Sequence, residues 1–173
     1  MLTDTPTLLP TGTYTIDPAQ SEVGFSVRHL GVATVKGRFE TFEGELTVHE
    51  DGSVTATGGV VAASVESGNA IRDRRLRDEF FQTDDHPVIS FTADATPEPA
   101  RQRGRLHLDA QLTIRGTTRP VELELRPSGD RIEATATISQ ADFGLEWDAL
   151  REAGKLLVSD RVRLAVSAQL RRR

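Results

Sequence analysis

The sequence predicts an all-β chain of antiparallel strands. Three observations predict it. Apolar residues recur with a period of two through most of the chain. Leu106, Leu108, Ala110, Leu112 and Ile114, for example, alternate with Arg105, His107, Asp109, Gln111 and Thr113, giving one oily face and one wet face. Short turn signals, such as Glu50-Asp51-Gly52 and Pro127-Ser128-Gly129-Asp130, separate these runs, and short connections favour antiparallel neighbours. Only two stretches read as helix.

Taken in order, residues 1–12 read as a flexible, Thr/Pro-rich lead-in. They hold no Lys or Arg and no apolar run beyond Leu8–Leu9, unlike a secretory signal, so a cytoplasmic location is expected. Val23, Phe25, Val27 and His29 share one strand face, opposite Glu22, Ser26 and Arg28. In the stretch 35–48, Phe39 and Phe42 stand three apart and cannot share a face of an unbroken strand, so a bulge or bend near 40–44 is expected. Residues 54–65 read as one long strand and 88–95 as another, carrying Ile89 and Phe91. Between them, 69–81 reads as a short helix. Asn69 caps it, Ile71 and Leu76 turn inward, and Arg72, Arg74, Arg75 and Arg77 lie mostly outside. Strands at 105–114, 121–126, 131–138 and 161–170 complete the set. Residues 146–153, with Gly154 just beyond, suit one more helical turn, and 171–173 a basic tail.

Eight or nine strands with one apolar face must bury that face, as a two-layer sandwich or a closed barrel; the pattern allows both. A barrel of eight is just wide enough to be plugged by side chains or to hold one small ligand. Inward alanines (93, 95, 110, 134, 136 and 168) and few aromatics, seven Phe with one Tyr and one Trp, leave room for an elongated apolar space. The same alanines also suit two closely packed layers.

Charge and composition exclude several functions. The net charge of −5 argues against a general nucleic-acid binder. No apolar run is long enough to span a membrane. The absence of cysteine removes disulfides, thiolate catalysis and zinc–cysteine sites. His29, His49, His86 and His107 stand far apart, so no metal site is expected. No Gly-x-Ser-x-Gly elbow or phosphate loop appears, so no catalytic residue is assigned and a non-enzymatic protein is expected.

An ordered series of motifs resembles the YceI-like, polyisoprenoid-binding family. It opens with Ile16-Asp17-Pro18, Ser21-Glu22-Val23-Gly24-Phe25-Ser26-Val27-Arg28-His29-Leu30 and Val35-Lys36-Gly37-Arg38-Phe39. It continues through Ala63-Ser64-Val65-Glu66-Ser67-Gly68-Asn69, Arg72-Asp73, Leu76, Phe80-Phe81 and Pro87-Val88-Ile89-Ser90-Phe91. Leu112-Thr113-Ile114-Arg115-Gly116, Pro120-Val121, Asp142-Phe143-Gly144 and Ser159-Asp160-Arg161-Val162 close it. Tyr14 stands where the family often has tryptophan, Ser67 where it often has threonine, and Gln82 where aspartate often follows the two phenylalanines. The resemblance implies an antiparallel eight-stranded lipocalin-like β-barrel over 13–170, partly closed by a helix. It also implies a pore for a long-chain isoprenoid lipid, and a homodimer.

The expected ligand-binding residues are Phe25, Val27, His29, Phe39, Phe42, Val65, Ile71, Leu76, Phe80, Phe81, Phe91, Leu112, Ile114, Phe143 and Trp147. Each is equally a candidate for plain core packing. His29 and Arg72 are the head-group candidates. For Arg72 the favoured alternative is structural, an arginine and Asp73 fixing the helix to the barrel. A bound isoprenoid is the one expected cargo, with no other cofactor. The rivals are an enzyme working in the same pore and a ligand-free interaction scaffold.

Overall fold

The computed structural model describes residues 9–29, 33–95, 101–102, 105–145 and 158–173. Among them twelve strands form one antiparallel sheet. They are β1 (Gly12–Ile16), β2 (Glu22–His29), β3 (Ala33–Phe39), β4 (Phe42–Val48), β5 (Val54–Val61) and β6 (Val65–Glu66), then β7 (Val88–Ala95), β8 (Arg101–Gln102), β9 (Arg105–Ile114), β10 (Thr117–Ser128), β11 (Arg131–Ser139) and β12 (Val158–Arg172). The hydrogen-bonded order β1-β4-β5-β7-β9-β10-β11-β12 returns from β12 to β1, so eight strands close into a barrel and the sandwich is excluded.

The other long strands extend that ring. β2 pairs with β12 and β3, as β1 pairs with β12 and β4; β6 pairs with β3, as β5 pairs with β4. Thus β1–β2, β4–β3 and β5–β6 are three staves, each bent once. The bends fall at the short 3-10 turn Pro18–Gln20, at Glu40–Thr41, and at a second 3-10 turn, Ala62–Ser64. Two of them lock together. Thr41 N–H donates to Ser64 Oγ at 3.0 Å, Glu40 N–H to the Ser64 carbonyl at 3.1 Å, and Val61 N–H to the Thr41 carbonyl at 2.9 Å.

The bend between Phe39 and Phe42 is the one expected near 40–44, and it joins two whole strands. The bend at Ala62–Ser64 corrects an expectation. Residues 54–65 are not one strand: the chain leaves β5 at Val61, and the Ala62 N–H bonds the Pro87 carbonyl at 2.9 Å. Beyond its bend the third stave keeps only the two residues of β6, and the helix packs beside it. That helix, α1 (Ala70–Arg75), runs on as a π-turn over Leu76–Phe80. The Asn69 side chain accepts from Arg72 N–H at 2.9 Å, the expected cap. Residues 146–153, expected as a second helical turn, lie outside the described residues.

Tight hairpins set the register of the long strands. Between β9 and β10 both turn residues, Arg115 (φ 51) and Gly116 (φ 77), take positive φ, as a type I′ turn requires. Arg115 Nη1 then donates to the Phe80 carbonyl at 3.3 Å, tying that hairpin to the helix end.

Both termini of the described barrel are held. Leu9 is buried in the core and Tyr14 Oη donates to the Pro10 carbonyl at 2.6 Å. Of residues 171–173, expected as a tail, Arg171 and Arg172 instead finish the closing strand, and Arg173 N–H donates to the Thr13 carbonyl at 2.9 Å. Arg171 meets buried Asp17 at 2.7 Å, Arg172 Nη2 donates to the Thr11 carbonyl at 2.8 Å, and Arg173 lies 3.1 Å from Glu45.

The inward faces form two apolar clusters. One gathers Tyr14, Leu46, Val54, Leu106, Leu108, Leu125, Ile132 and Leu170. The other, at the helix end, gathers Val27, Phe39, Val65, Leu76, Phe81, Leu112, Ile114, Ile138 and Phe143.

Candidate ligand-binding bore

Strand alternation turns aliphatic and small side chains into the barrel, and they do not fill it. A cavity borders both clusters. Its volume is about 170 Å3. A dry apolar void of ~150 Å3 already admits a benzene ring, so the bore has room for hydrocarbon. β9, β10, β11 and β12 supply Leu108, Ala110, Leu112, Val121, Leu123, Leu125, Ile132, Ala134, Ala136, Leu164, Val166 and Leu170. Ile16, Val23, Phe39, Leu46, Ala56, Val60, Ile89 and Phe91 line the rest. Glu43, Glu45, Thr57 and Ser90 border it too; alternation points their side chains away, so their main chain is what faces the space.

Glycines widen this wall. A Cβ built on Gly44 would stand 2.5 Å from Ile16 Cδ1. One on Gly37 would stand 2.3 Å from Phe25 Cζ, and one on Gly58 2.7 Å from Phe91 Cε1. Phe25 is the direct cross-strand partner of Gly37, and Phe91 of Gly58. Phe91 therefore occupies the gap that Gly58 leaves in the bore wall, and Phe25 the gap beside Gly37 in the helix-end cluster.

Of the expected ligand-binding residues, the bore brings together Phe39, Phe91 and Leu112. Val27, Val65, Leu76, Phe81, Ile114 and Phe143 are buried in the helix-end cluster, with Phe25 and Phe80 partly buried against it. There the rings meet in series, tilted or edge-on: Phe25–Phe39 at 5.7 Å, Phe39–Phe81 at 5.9 Å and Phe80–Phe81 at 4.9 Å between centroids. These aromatics plug one end of the barrel, and only Phe39 also touches the space. Phe42 is half-buried and belongs to neither cluster.

Ile71 is a correction: it is 76% exposed. Five residues separate it from Leu76, about 140° around a helix, so the two cannot share one inward stripe. The buried stripe is Asp73, Leu76 and, half-buried, Phe80. The backbone of His29 ends β2, while its side chain and all of Trp147 lie outside the described residues.

Arg72 is engaged. Its Nε donates to Ser67 Oγ at 2.8 Å and its Nη2 to the Ser67 carbonyl at 2.7 Å. Asp73, 5% exposed, accepts from Ser67 N–H at 3.0 Å and from the Ser67 hydroxyl. Arginine and carboxylate thus clamp one serine between β6 and α1 and do not pair with each other. Other charged groups sit outside the bore. Burial pushes the Asp17 carboxyl up, but the Gln20 amide, the Ala19 N–H and Arg171 together hold it below the usual carboxylate range. On the outer wall, the hydrogen bond from Arg126 holds the Glu124 carboxyl low, with Arg105 adding to it.

Sequence reasoning missed most of the wall, because it favoured aromatic residues over the Leu, Val and Ala that carry the bore. The alternation that marks β9 and β11 was signal enough to find them. Of the six inward alanines singled out, Ala110, Ala134 and Ala136 do line the space.

Fold and bore define a closed antiparallel β-barrel with an apolar cavity and a helix against its side. The chain belongs to the YceI-like family, whose domain model matches residues 14–170. A UPF0312 protein of Staphylococcus aureus (strain MSSA476) is 25% identical over 170 residues, 90% of this chain and 95% of that one. The polyisoprenoid binding domain from Saccharophagus degradans superposes with a TM-score of 0.71 at 20% identity, covering 92% of this chain and 98% of that one. BcnA of Burkholderia cenocepacia gives 0.71 at 18% identity, over 88% and 98%.

Proposed function

We propose that the barrel binds the hydrocarbon chain of an isoprenoid lipid in its bore and holds it without turnover. The observation that carries the reading is a cavity walled by aliphatic side chains, into which alternation points no titratable group among the described residues. Such a wall recognises hydrocarbon and little else. Burying roughly 400 Å2 of lipid tail contributes about 10 kcal/mol before the cost of association, with no polar contact needed. The name of the Saccharophagus domain supports an isoprenoid as the kind of chain. Carriage, storage and protection all use the same grip, and head-group contacts belong to the rim.

Native mass spectrometry of the purified protein, followed by titration with polyprenyl compounds, tests the proposal. The expected result is one lipid per barrel, displaced or taken up on titration. Recovery of no lipid together with no uptake rejects it.

A further inference from the structure

The chain as a whole is acidic, with a net charge of −5, yet one wall of the barrel is basic. The outer face of β2, β3 and β12 exposes Arg28, Lys36, Arg38, Arg161 and Arg163. Register gathers them. Ser26 of β2 stands opposite both Lys36 of β3 and Arg163 of β12. Arg28 is the next outward residue along β2, and Arg38 the next along β3. With strands ~4.8 Å apart and outward residues ~6.7 Å apart along each, the five cations share a patch roughly 15 Å across.

Carboxylates on or beside the same face, Glu22 of β2, Glu40, Glu66 and Asp160, are fewer than the five cations and neutralise it in part. Among the described residues, Arg28, Lys36 and Arg163 make no ion pair. Arg38 stands 3.7 Å from Glu40, with both side chains 56% exposed, and Glu66 is its cross-strand partner. Arg163 borders a shallow polar groove that holds Glu122 and Glu124. Glu122 is taken by His107 at 3.0 Å, and Glu124 by Arg126 at 2.8 Å and Arg105 at 3.5 Å. Asp160 accepts from the Ser139 hydroxyl and from Ala141 N–H, keeps its charge, and interacts electrostatically with Arg161, so it offsets that cation.

The chemistry of the patch selects the occupant. It presents no exposed large apolar residue, since those among the described residues are Val61, Ile71 and Val88, all elsewhere; a protein partner lacks the anchor that hot spots need. It presents no aromatic platform for stacking bases. A broad face of Lys and Arg matches a layer of anionic head groups. We infer that the outer wall of β2, β3 and β12 docks electrostatically on an anionic lipid bilayer without inserting. The purpose of docking rests on the isoprenoid reading, because Val23, Phe39 and Leu164 of the same staves line the bore. The docking itself needs no cargo.

Co-sedimentation of the full chain with vesicles of phosphatidylcholine, alone or mixed with phosphatidylglycerol, tests it. The protein is expected to bind the mixed vesicles only, and to release as salt rises. Replacing Lys36→Ala and Arg163→Ala together should weaken that binding roughly 25-fold, about five-fold per charge, with thermal unfolding unchanged. Arg119→Ala, outside the patch, should bind as the parent does. Equal binding to both vesicle types, or patch variants that bind like the parent, overturns the inference. So does duplex DNA bound as tightly and with the same patch dependence, which would make the wall a general polyanion face. Uptake of a polyprenyl compound from detergent, measured in parallel, separates the two readings. Docking without uptake defeats the isoprenoid proposal alone, and uptake without docking defeats this one alone.

Discussion

At the residue scale, the width of the bore depends on atoms that are missing. Gly44 and Gly58 both make room for a neighbour, yet the consequences of filling them differ. A methyl group on Gly44 meets only the flexible end of Ile16, with the nearest main-chain atom at 3.7 Å. One on Gly58 meets the Phe91 ring and also the Glu43 carbonyl oxygen at 2.8 Å, which cannot turn aside. Gly44→Ala should therefore keep the parent's unfolding midpoint and push Ile16 into the space. Lipid titration should then show weaker binding that worsens with chain length. Gly58→Ala should lower the unfolding free energy measured in urea by about 1–3 kcal/mol, the usual cost of overpacking. Equal effects of the two on stability would contradict this account.

At the scale of elements, the helix shows what holds a short amphipathic segment in place. Six α-helical residues are too few to be stable alone, so tertiary contacts carry them. Leu76, 2% exposed, is the main apolar anchor, and the Ser67 clamp fixes the N-terminal end. Leu76→Ala should cost about 2–5 kcal/mol by chemical denaturation, whereas Ile71→Ala should cost almost nothing. Legibility in the sequence followed the same physics. β9, β11 and the C-terminal half of β12 were plain, because each alternates cleanly between core and water. The helix and its Asn69 cap were legible from local chemistry. The bend at Glu40–Thr41 was legible from the spacing of Phe39 and Phe42, which breaks the period of two, whereas the bend at Ala62–Ser64 was not, since its apolar residues run on without a break. Ile71 was misplaced because an apolar residue was assumed to turn inward, although its angular distance from Leu76 forbids it. Barrel and sandwich share one alternation, so only the β1–β12 pairing separates them. The bore was half legible: its small residues were noticed, but the aromatic plug was taken for the wall.

At the scale of the whole molecule, the ring is sealed along the seam where β1 meets β12. Its register runs Tyr14↔Arg172, Thr15↔Arg171 and Ile16↔Leu170. The carboxyl of Asp17, held by Arg171, reinforces that seam. Its folded-state pKa lies below the unfolded value, so its contribution is present above about pH 4 and is lost as the pH falls through the lowered value. Asp17→Asn should therefore be less stable than the parent at neutral pH, and the two should converge in acid. Urea midpoints measured across that range would show it, and a gap that persists undiminished in acid would count against the seam.

The seam also sets a timetable for biosynthesis. β1 leaves the ribosome first among these strands, and its partner β12 leaves last, so β1 waits almost the entire length of translation for that neighbour. Until β12 is made the ring cannot close, and the sheet formed by the earlier strands keeps two unpaired edges. Closure of the bore therefore waits for the last strand of the ring to be synthesised.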